Sequence, residues 1–177
     1  TNGNISILNL RNRAQGIYLL TRSGVVTSNL LIDLVSTLNK LQKKTWKQDV
    51  LSAYIASSYA LMQQDKEANK LIAEYDLSEQ ELMVQQAFAG LAPRLNSDAQ
   101  YLFLVAKHFP AQLKDVSEQA LLNITQAIYK GQYYTNSAAY SMLALGAYHS
   151  ALASDANISN EKLAEIDKQI AFVATSM

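Results

Sequence analysis

The chain has 177 residues, in which 15 lysine and arginine residues balance 15 aspartate and glutamate residues, and it contains no cysteine. Zero net charge argues against nucleic acid as a partner, since proteins that bind phosphate backbones carry excess positive charge. The lack of cysteine excludes disulfides, thiolate metal sites and a cysteine nucleophile within these residues. No apolar run approaches the roughly 20 residues that span a membrane. Because the first residue is Thr1 rather than methionine, we expect an excised or processed part of a longer protein.

The first two predicted helices have clear ends. One covers 8–22 and is closed by Ser23-Gly24, because glycine readily adopts the left-handed conformation that ends a helix. The next begins at Thr27 or Ser28, both good N-caps. Its apolar residues recur at helical spacing: Leu30, Leu31, Leu34, Leu38 and Leu41.

Two shorter helices are predicted to follow. The third helix covers 49–63, after a turn in which Trp46 is expected to be the buried anchor. The fourth covers 65–75, and Asp65 is expected to cap it.

Capping boxes mark two further helices in the middle of the chain. Ser78-x-x-Glu81 has the required spacing and predicts a fifth helix, which Gly90 and Pro93 are expected to end. Ser97-x-x-Gln100 repeats the spacing and predicts a sixth helix that stops before Pro110.

The last third of the chain is predicted to hold two more long helices and a mixed end. Asp115-x-x-Glu118 can cap a seventh helix, which Gly131 closes. An eighth covers about 136–152, a short helix covers 161–167, and 170–175 is expected to be a strand. The core positions predicted for the second and seventh helices are Leu30, Leu34, Leu38, Leu121, Ile124 and Ile128.

Helices joined by short turns are expected to pack as antiparallel α-hairpins. An internal similarity supports a repeat: AQxxYLLxR, starting at Ala14, matches AQxxFLVxK, starting at Ala99, 85 positions later. That distance equals two hairpins of about 40 residues, a length typical of helical repeats. We therefore predict an all-α fold of stacked hairpins, in a solenoid or a toroid.

Few side chains suggest catalysis. His108 and His149 lack the partner spacing of a metal-binding helix, and no Gly-x-Ser-x-Gly motif marks a nucleophile. We therefore predict no catalytic, cofactor-binding or metal-binding residue. A toroid-type glycosidase is one alternative, because paired carboxylates can meet only after folding. The candidate acids are Asp65, Glu67, Glu79, Glu81, Asp155, Glu161 and Glu165.

Ten tyrosines are the most unusual feature of the composition. A helical-repeat scaffold that binds a protein through a tyrosine-lined groove is therefore a second alternative. The favoured interpretation is that the rings pack in the core while the hydroxyls reach a wet edge. The late cluster consists of Tyr129, Tyr133, Tyr134, Tyr140 and Tyr148.

Three stretches together are similar to one family. They are QGIYLLTRSG (15–24), WKQDVLSAYIASSY (46–59) with QDKEA (64–68), and DAQYL (98–102) with HFP (108–110) and TNSAAY (135–140). In this order and spacing they resemble the later part of the helical thioester domain of bacterial alpha-2-macroglobulins. The resemblance covers about residues 8–152.

The resemblance implies that 1–154 is part of an α/α toroid and that 155–177 leads to the next domain. It also implies a non-enzymatic role in a large periplasmic protein, anchored at the inner membrane by a lipidated N-terminus. In this family an attacking protease cuts a bait segment, and the molecule rearranges. A buried thioester between a cysteine and a glutamine then acylates an amine of the protease.

The family's thioester motif, Cys-x-Glu-Gln, is absent from this chain. In the family it lies upstream of the stretch that the chain resembles, so no reactive residue can be assigned to any position here. The implied role is to shield the thioester region and to move as a body when the bait is cut. The implied partners are other domains of the same polypeptide and, through the whole protein, attacking proteases.

Overall fold

The computed structural model describes residues 6–41, 45–77, 88–131, 133–154 and 160–175. These residues form helices and turns, without strands, which confirms the predicted all-α class. The fifth helix predicted from Ser78-x-x-Glu81 begins outside the described residues. The α-helices are α1 (Ile7–Arg22), α2 (Ser28–Leu41), α3 (Leu51–Leu61), α4 (Asp65–Ile72), α5 (Phe88–His108), α6 (Glu118–Tyr129), α7 (Thr135–Ala153) and α8 (Asn160–Thr175), with 3-10 helices at Thr45–Gln48 and Pro110–Asp115.

The chain divides into two compact units, Thr1–Asp76 and Leu77–Met177. In the first unit α3 packs against both α1 and α4, and in the second α7 packs against both α5 and α8. This shared order of packing agrees with the internal similarity between the segments that start at Ala14 and Ala99. Small buried residues recur at the 85-residue offset: Ala14 with Ala99, Ser52 with Ser137, and Ala53 with Ala138.

In the first unit, α2 buries a narrower stripe than its sequence predicts. Leu31, Leu34 and Leu38 are fully buried. Leu30 is 42% exposed, and Leu41 is also exposed, so the predicted burial of Leu30 is wrong. The reason is geometric. Successive helical residues are rotated by about 100°, so Leu30 lies well to one side of the line that Leu31, Leu34 and Leu38 form.

Asp49 connects the start of α3 to α1. Its Oδ1 accepts a hydrogen bond from the backbone N–H of Leu51 at 3.1 Å. The Arg11 guanidinium donates to both carboxylate oxygens, from Nε at 2.9 and 3.1 Å and from Nη2 at 2.6 Å. Hydrogen bonding to Asp49 raises the pKa of Arg11. Because a two-pronged guanidinium–carboxylate pair fixes orientation as well as distance, it holds α1 in register with α3.

The turns around α3 and α4 are close to prediction. Trp46 is buried, and its Nε1 donates to Asn39 Oδ1 at 3.0 Å, which confirms it as the anchor of its turn. Asp65 is the first residue of α4 and Gln64 is the cap residue, so the predicted cap is displaced by one position. A carboxylate in the first turn still suits the positive end of the helix dipole.

In the second unit, α5 is one continuous helix through Gly90, Pro93 and Ser97, so the predicted break is wrong. Pro93 lacks the N–H that would bond to the carbonyl of residue 89, a local cost that usually ends or kinks a helix. The Arg94 guanidinium donates to Asp98 Oδ2 at 3.1 Å across the predicted break. Buried residues also continue at helical spacing beyond it, namely Leu95, Ala99, Leu102 and Ala106.

The seventh predicted helix corresponds to α6 and has the expected limits, but its N-cap residue differs from the prediction. Ser117, rather than Asp115, is the N-cap, and its hydroxyl accepts from the backbone N–H of Ala120 at 3.2 Å. Gly131 follows the helix at φ +68°, as the predicted closure requires. The predicted core face of α6 is confirmed, since Leu121, Ile124 and Ile128 are all buried.

The strand predicted over 170–175 is wrong, because these residues belong to α8. Branched and aromatic side chains favour strands locally. Tertiary packing overrides that preference here. Ile166 and Val173 are buried on one helical face, and Val173 joins Ile128 and Leu145 in a core cluster that Ile170 partly covers.

Candidate functional site

The two histidines lie on different helices. His108 is the last residue of α5, while His149 of α7 places Nε2 3.2 Å from Oδ1 of Asp167 on α8. His149 therefore links two helices of the second unit. Within the described residues, no group of three or more histidine, aspartate or glutamate side chains is arranged to hold a metal ion.

Three of the four candidate acids within the described residues occupy helix starts. Asp65 and Glu67 lie in the first turn of α4, and Glu161 lies in the first turn of α8. Negative charge there interacts favourably with the helix dipole, which gives these residues a structural role. Glu165 lies further along α8. Glu79, Glu81 and Asp155 lie outside the described residues.

Tyrosines are divided between core and surface. Those that are buried are Tyr18, Tyr54, Tyr75, Tyr101 and Tyr148. The rings of Tyr18 and Tyr54 pack 5.6 Å apart between α1 and α3. Burial raises the pKa of Tyr101 to about 12, so its hydroxyl is neutral at physiological pH. Half of the tyrosines thus have rings in the core, as the favoured interpretation expects, but the hydroxyl of Tyr148 is buried too and does not reach a wet edge.

The late tyrosine cluster does not converge on one groove. Tyr129 is 71% exposed and packs on Phe172 at 5.1 Å, in an open groove between α6 and α8. Tyr148 is buried and lines a different cavity. The groove and the cavity adjoin, since Glu165 and Gln169 line both, but each contains only one tyrosine of the late cluster among its described residues.

An exposed apolar surface occurs where α1 meets α2. We call residues 19–32 the α1–α2 tip. Between Arg22 and Asp33 the sequence has ten consecutive residues without charge. Val26 is 85% exposed and Ile32 66% exposed, and the other large exposed apolar residues of the tip are Leu19, Leu20, Val25 and Leu30. Since isolated apolar side chains are common on surfaces but clusters are not, this concentration makes the tip a candidate interaction surface.

Buried hydroxyls hold the tip in shape. The Thr21 and Thr27 hydroxyls lie 2.6 Å apart, and Thr21 Oγ1 also donates to the carbonyl of Ile17 at 2.8 Å. Both threonines are buried. Gly24 makes the turn between them at φ +89°, a conformation that costs other residues energy. Val25 and Val26 are therefore displayed on an ordered turn, and the other apolar residues of the tip lie on the two helices that flank it.

Sequence comparison decides the family. The chain is 37% identical over 152 residues to an alpha-2-macroglobulin homolog of Yersinia pestis, a match that covers 83% of the chain. It is 37% identical over 145 residues to an alpha-2-macroglobulin of Pasteurella multocida and 32% identical over 138 residues to that of Rickettsia conorii. The chain belongs to the bacterial alpha-2-macroglobulin family. The family indicated by its motifs is thereby confirmed.

The alpha-2-macroglobulin relatives are far longer than this chain, which spans only 7% to 8% of their length. It therefore corresponds to a segment of a larger polypeptide. No family model matches the chain, and no solved structure matches it significantly. Among its described helices, none combines the length and the apolar character that crossing a membrane demands.

The α1–α2 tip was not predicted as a site. Its sequence signal was the uncharged stretch after Arg22, which includes Val25 and Val26. Branched apolar residues beside a helix-ending glycine read as ordinary core residues, because the sequence does not reveal which side of a turn faces solvent. Only the packed structure shows that Val26 is exposed whereas Thr27 is buried.

Proposed function

We propose that this chain is the later part of the helical thioester domain of an alpha-2-macroglobulin-like protease trap, and that its α-hairpins form part of an α/α toroid. The proposal is carried by its similarity to alpha-2-macroglobulins over most of its own length but only 7% of theirs. Its role would be structural: it shields the thioester region and moves as a body when the bait segment is cut. The parent protein would be periplasmic and anchored at the inner membrane through a lipidated N-terminus.

Shielding has a physical basis. A thioester hydrolyses unless water is kept away from it, and a rigid helical shell that packs against neighbouring domains can exclude water. The α1–α2 tip supplies a surface for such packing, because Val26 is exposed on an ordered turn and Ile32 is exposed on the first turns of α2. The occupant that we propose is another domain of the same polypeptide, since most of the length of the relatives lies outside this segment.

The first test concerns the isolated chain, which should neither hydrolyse peptides nor inhibit a protease. Covalent capture requires an activated acyl group, and the chain has no cysteine from which to form a thioester. Physical trapping requires several domains to close around the protease, and 177 residues cannot enclose a protein of similar size. The measurement is the activity of trypsin and elastase, with and without the chain, on a small peptide and on a large protein substrate.

Both substrates are needed to interpret that result. A trap leaves a captured protease able to cut small peptides but unable to reach large proteins. Protection of the large substrate alone, at a stoichiometric ratio, would show that the segment traps by itself and would contradict a purely structural role.

The second test is the substitution Val26→Asp in the α1–α2 tip. It should have different effects in the isolated chain and in the full-length parent. In the isolated chain the free energy of unfolding should change by less than about 0.5 kcal/mol, because Val26 is 85% exposed. In the full-length parent the same substitution should lower the melting temperature and the fraction of protease captured. In the parent, the substitution would place a charged carboxylate in the apolar contact between the tip and another domain.

Ser36→Asp is the matched control, since Ser36 is exposed on α2, the helix that follows the turn containing Val26, and lies outside the tip. It adds the same charge and should leave both the parent and the isolated chain unchanged. Equal effects of Val26→Asp and Ser36→Asp in the parent would mean that no domain docks on the tip.

A further inference from the structure

A cavity of about 310 Å³ lies among α6, α7 and α8 in the second unit. Apolar walls come from Leu121 and Ile166, both of which are buried. The volume is about ten times the share of one water molecule in the liquid and falls at the lower end of the range for small-molecule sites. The cavity is therefore large enough for a ligand of several heavy atoms.

Two polar atoms in the lining of this cavity have no hydrogen-bond partner among the described residues. They are the hydroxyl of Tyr148, a residue that is 1% exposed, and Oε1 of Gln169. Buried polar atoms are nearly always paired in folded proteins, by protein groups, water or a ligand. Burial also raises the pKa of Tyr148, so its neutral hydroxyl can accept a hydrogen bond as well as donate one.

The charged side chains in the described lining of the cavity are all negative. Glu118 of α6 and Glu165 of α8 both line the cavity and are exposed, and the described lining includes no lysine, arginine or histidine. Glu165 also lies 3.4 Å from Lys168, but both side chains are largely exposed and such pairs are weak. Acceptor oxygens and negative charge thus surround a partly apolar space.

We propose that this cavity binds an aliphatic cation, a short hydrocarbon stem that ends in an ammonium or guanidinium group. The stem contacts Leu121 and Ile166. The cationic head donates hydrogen bonds to Tyr148 Oη and Gln169 Oε1 and is attracted by Glu118 and Glu165. The same chemistry is offered by a free alkylamine and by a lysine or arginine side chain from elsewhere in the parent protein.

The test is a calorimetric and ligand-observed NMR titration of the 177-residue chain with n-pentylamine at neutral pH. Pentanol and pentanoate are the comparison ligands, since they keep the stem and remove or invert the charge. Pentylammonium should bind at least about tenfold more tightly than pentanol, the factor expected when a hydrogen bond to a charged group is lost. Pentanoate should not bind. Equal affinity for the three compounds, or a cavity that holds water only, overturns the proposal.

Variants locate the binding. Tyr148→Phe keeps the ring, removes the unpaired hydroxyl and should weaken pentylammonium binding by about tenfold without lowering the melting temperature. Glu118→Gln should weaken it two- to fivefold, as for an exposed charge. Glu161→Gln makes the same change in charge on α8 away from the lining and should leave the affinity unchanged. If Tyr148→Phe binds as well as the original chain, the cavity is not the site.

A titration of the full-length parent with n-pentylguanidinium, which stays protonated and does not attack a thioester as a free amine can, separates the two sources of the cation. Binding by both the isolated chain and the parent identifies a free cation as the ligand. Binding by the isolated chain alone shows that another part of the parent occupies the cavity, and binding restored in a parent variant that lacks the occupying lysine or arginine identifies that side chain as the ligand. Neither result depends on protease capture, so the outcome is independent of the function proposed above.

Discussion

Replacing Leu34 with alanine should lower the free energy of unfolding by about 2–5 kcal/mol, the usual cost of truncating a buried leucine. Leu34 is fully buried in the first unit, between Leu31 and Leu38 on the inner face of α2. Leu30→Ala should cost less than about 1 kcal/mol, because Leu30 is 42% exposed and already contacts water. The measurement is urea unfolding followed by helical circular dichroism, with the free energy extrapolated to water.

Leu30 and Leu34 form a matched pair, since both are leucines on α2, one turn apart. The helix propensity lost on truncation is negligible in both cases, so the difference reports burial alone. Ile124→Ala on α6 should show the large effect in the second unit, because Ile124 is 2% exposed. Similar costs for Leu30→Ala and Leu34→Ala would mean that α2 presents a different face to the core.

Val173→Asp should have the largest effect, a loss of roughly 4 kcal/mol or more. Val173 is fully buried against Ile128 and Leu145, in a hydrophobic cluster against which the partly buried Tyr133, Met142 and Ile170 pack. A carboxylate in such a place must stay unpaired or take up a proton, and both are costly. Thermal and urea unfolding of the variant should both detect the loss.

Ala174→Asp is the control for that variant, because Ala174 is the next residue along α8 and is exposed. It should lower the free energy of unfolding by only about 1 kcal/mol, because aspartate is a weaker helix former than alanine and its charge is unfavourable in the last turn of α8. If Ala174→Asp were as damaging as Val173→Asp, the face of α8 that contacts the core would be misassigned. The pair therefore tests the register of the segment that the sequence suggested was a strand.

Helix ends that a glycine closes were predictable, whereas the helix starts expected at Ser97 and Asp115 were wrong. Gly24 and Gly131 both adopt the positive φ that ends a helix, and Ser28 begins α2 as expected. These features depend on interactions between residues within one or two helical turns of each other, so a short stretch of sequence is enough to predict them. The family was also accessible, because its motifs keep their order and spacing.

Features that depend on distant contacts were not predictable. Pro93 is a local signal to end a helix, but the buried residues that follow it in α5 continue the helical face. At the cavity, Tyr148 and Gln169 lie on different helices and come together only when α7 packs against α8. No window of the sequence contains both residues, and neither has a motif that would connect them.

The buried Thr21–Thr27 hydroxyl pair and the left-handed Gly24 have a consequence for association. A loop that is disordered before it docks loses conformational entropy in docking, and that loss subtracts from the affinity of the contact. The turn at residues 23–27 has already lost that freedom during folding of the first unit. A domain that docks on Val25 and Val26 therefore meets a surface of fixed shape. Most of the apolar area that it covers can then contribute to holding the parent protein together.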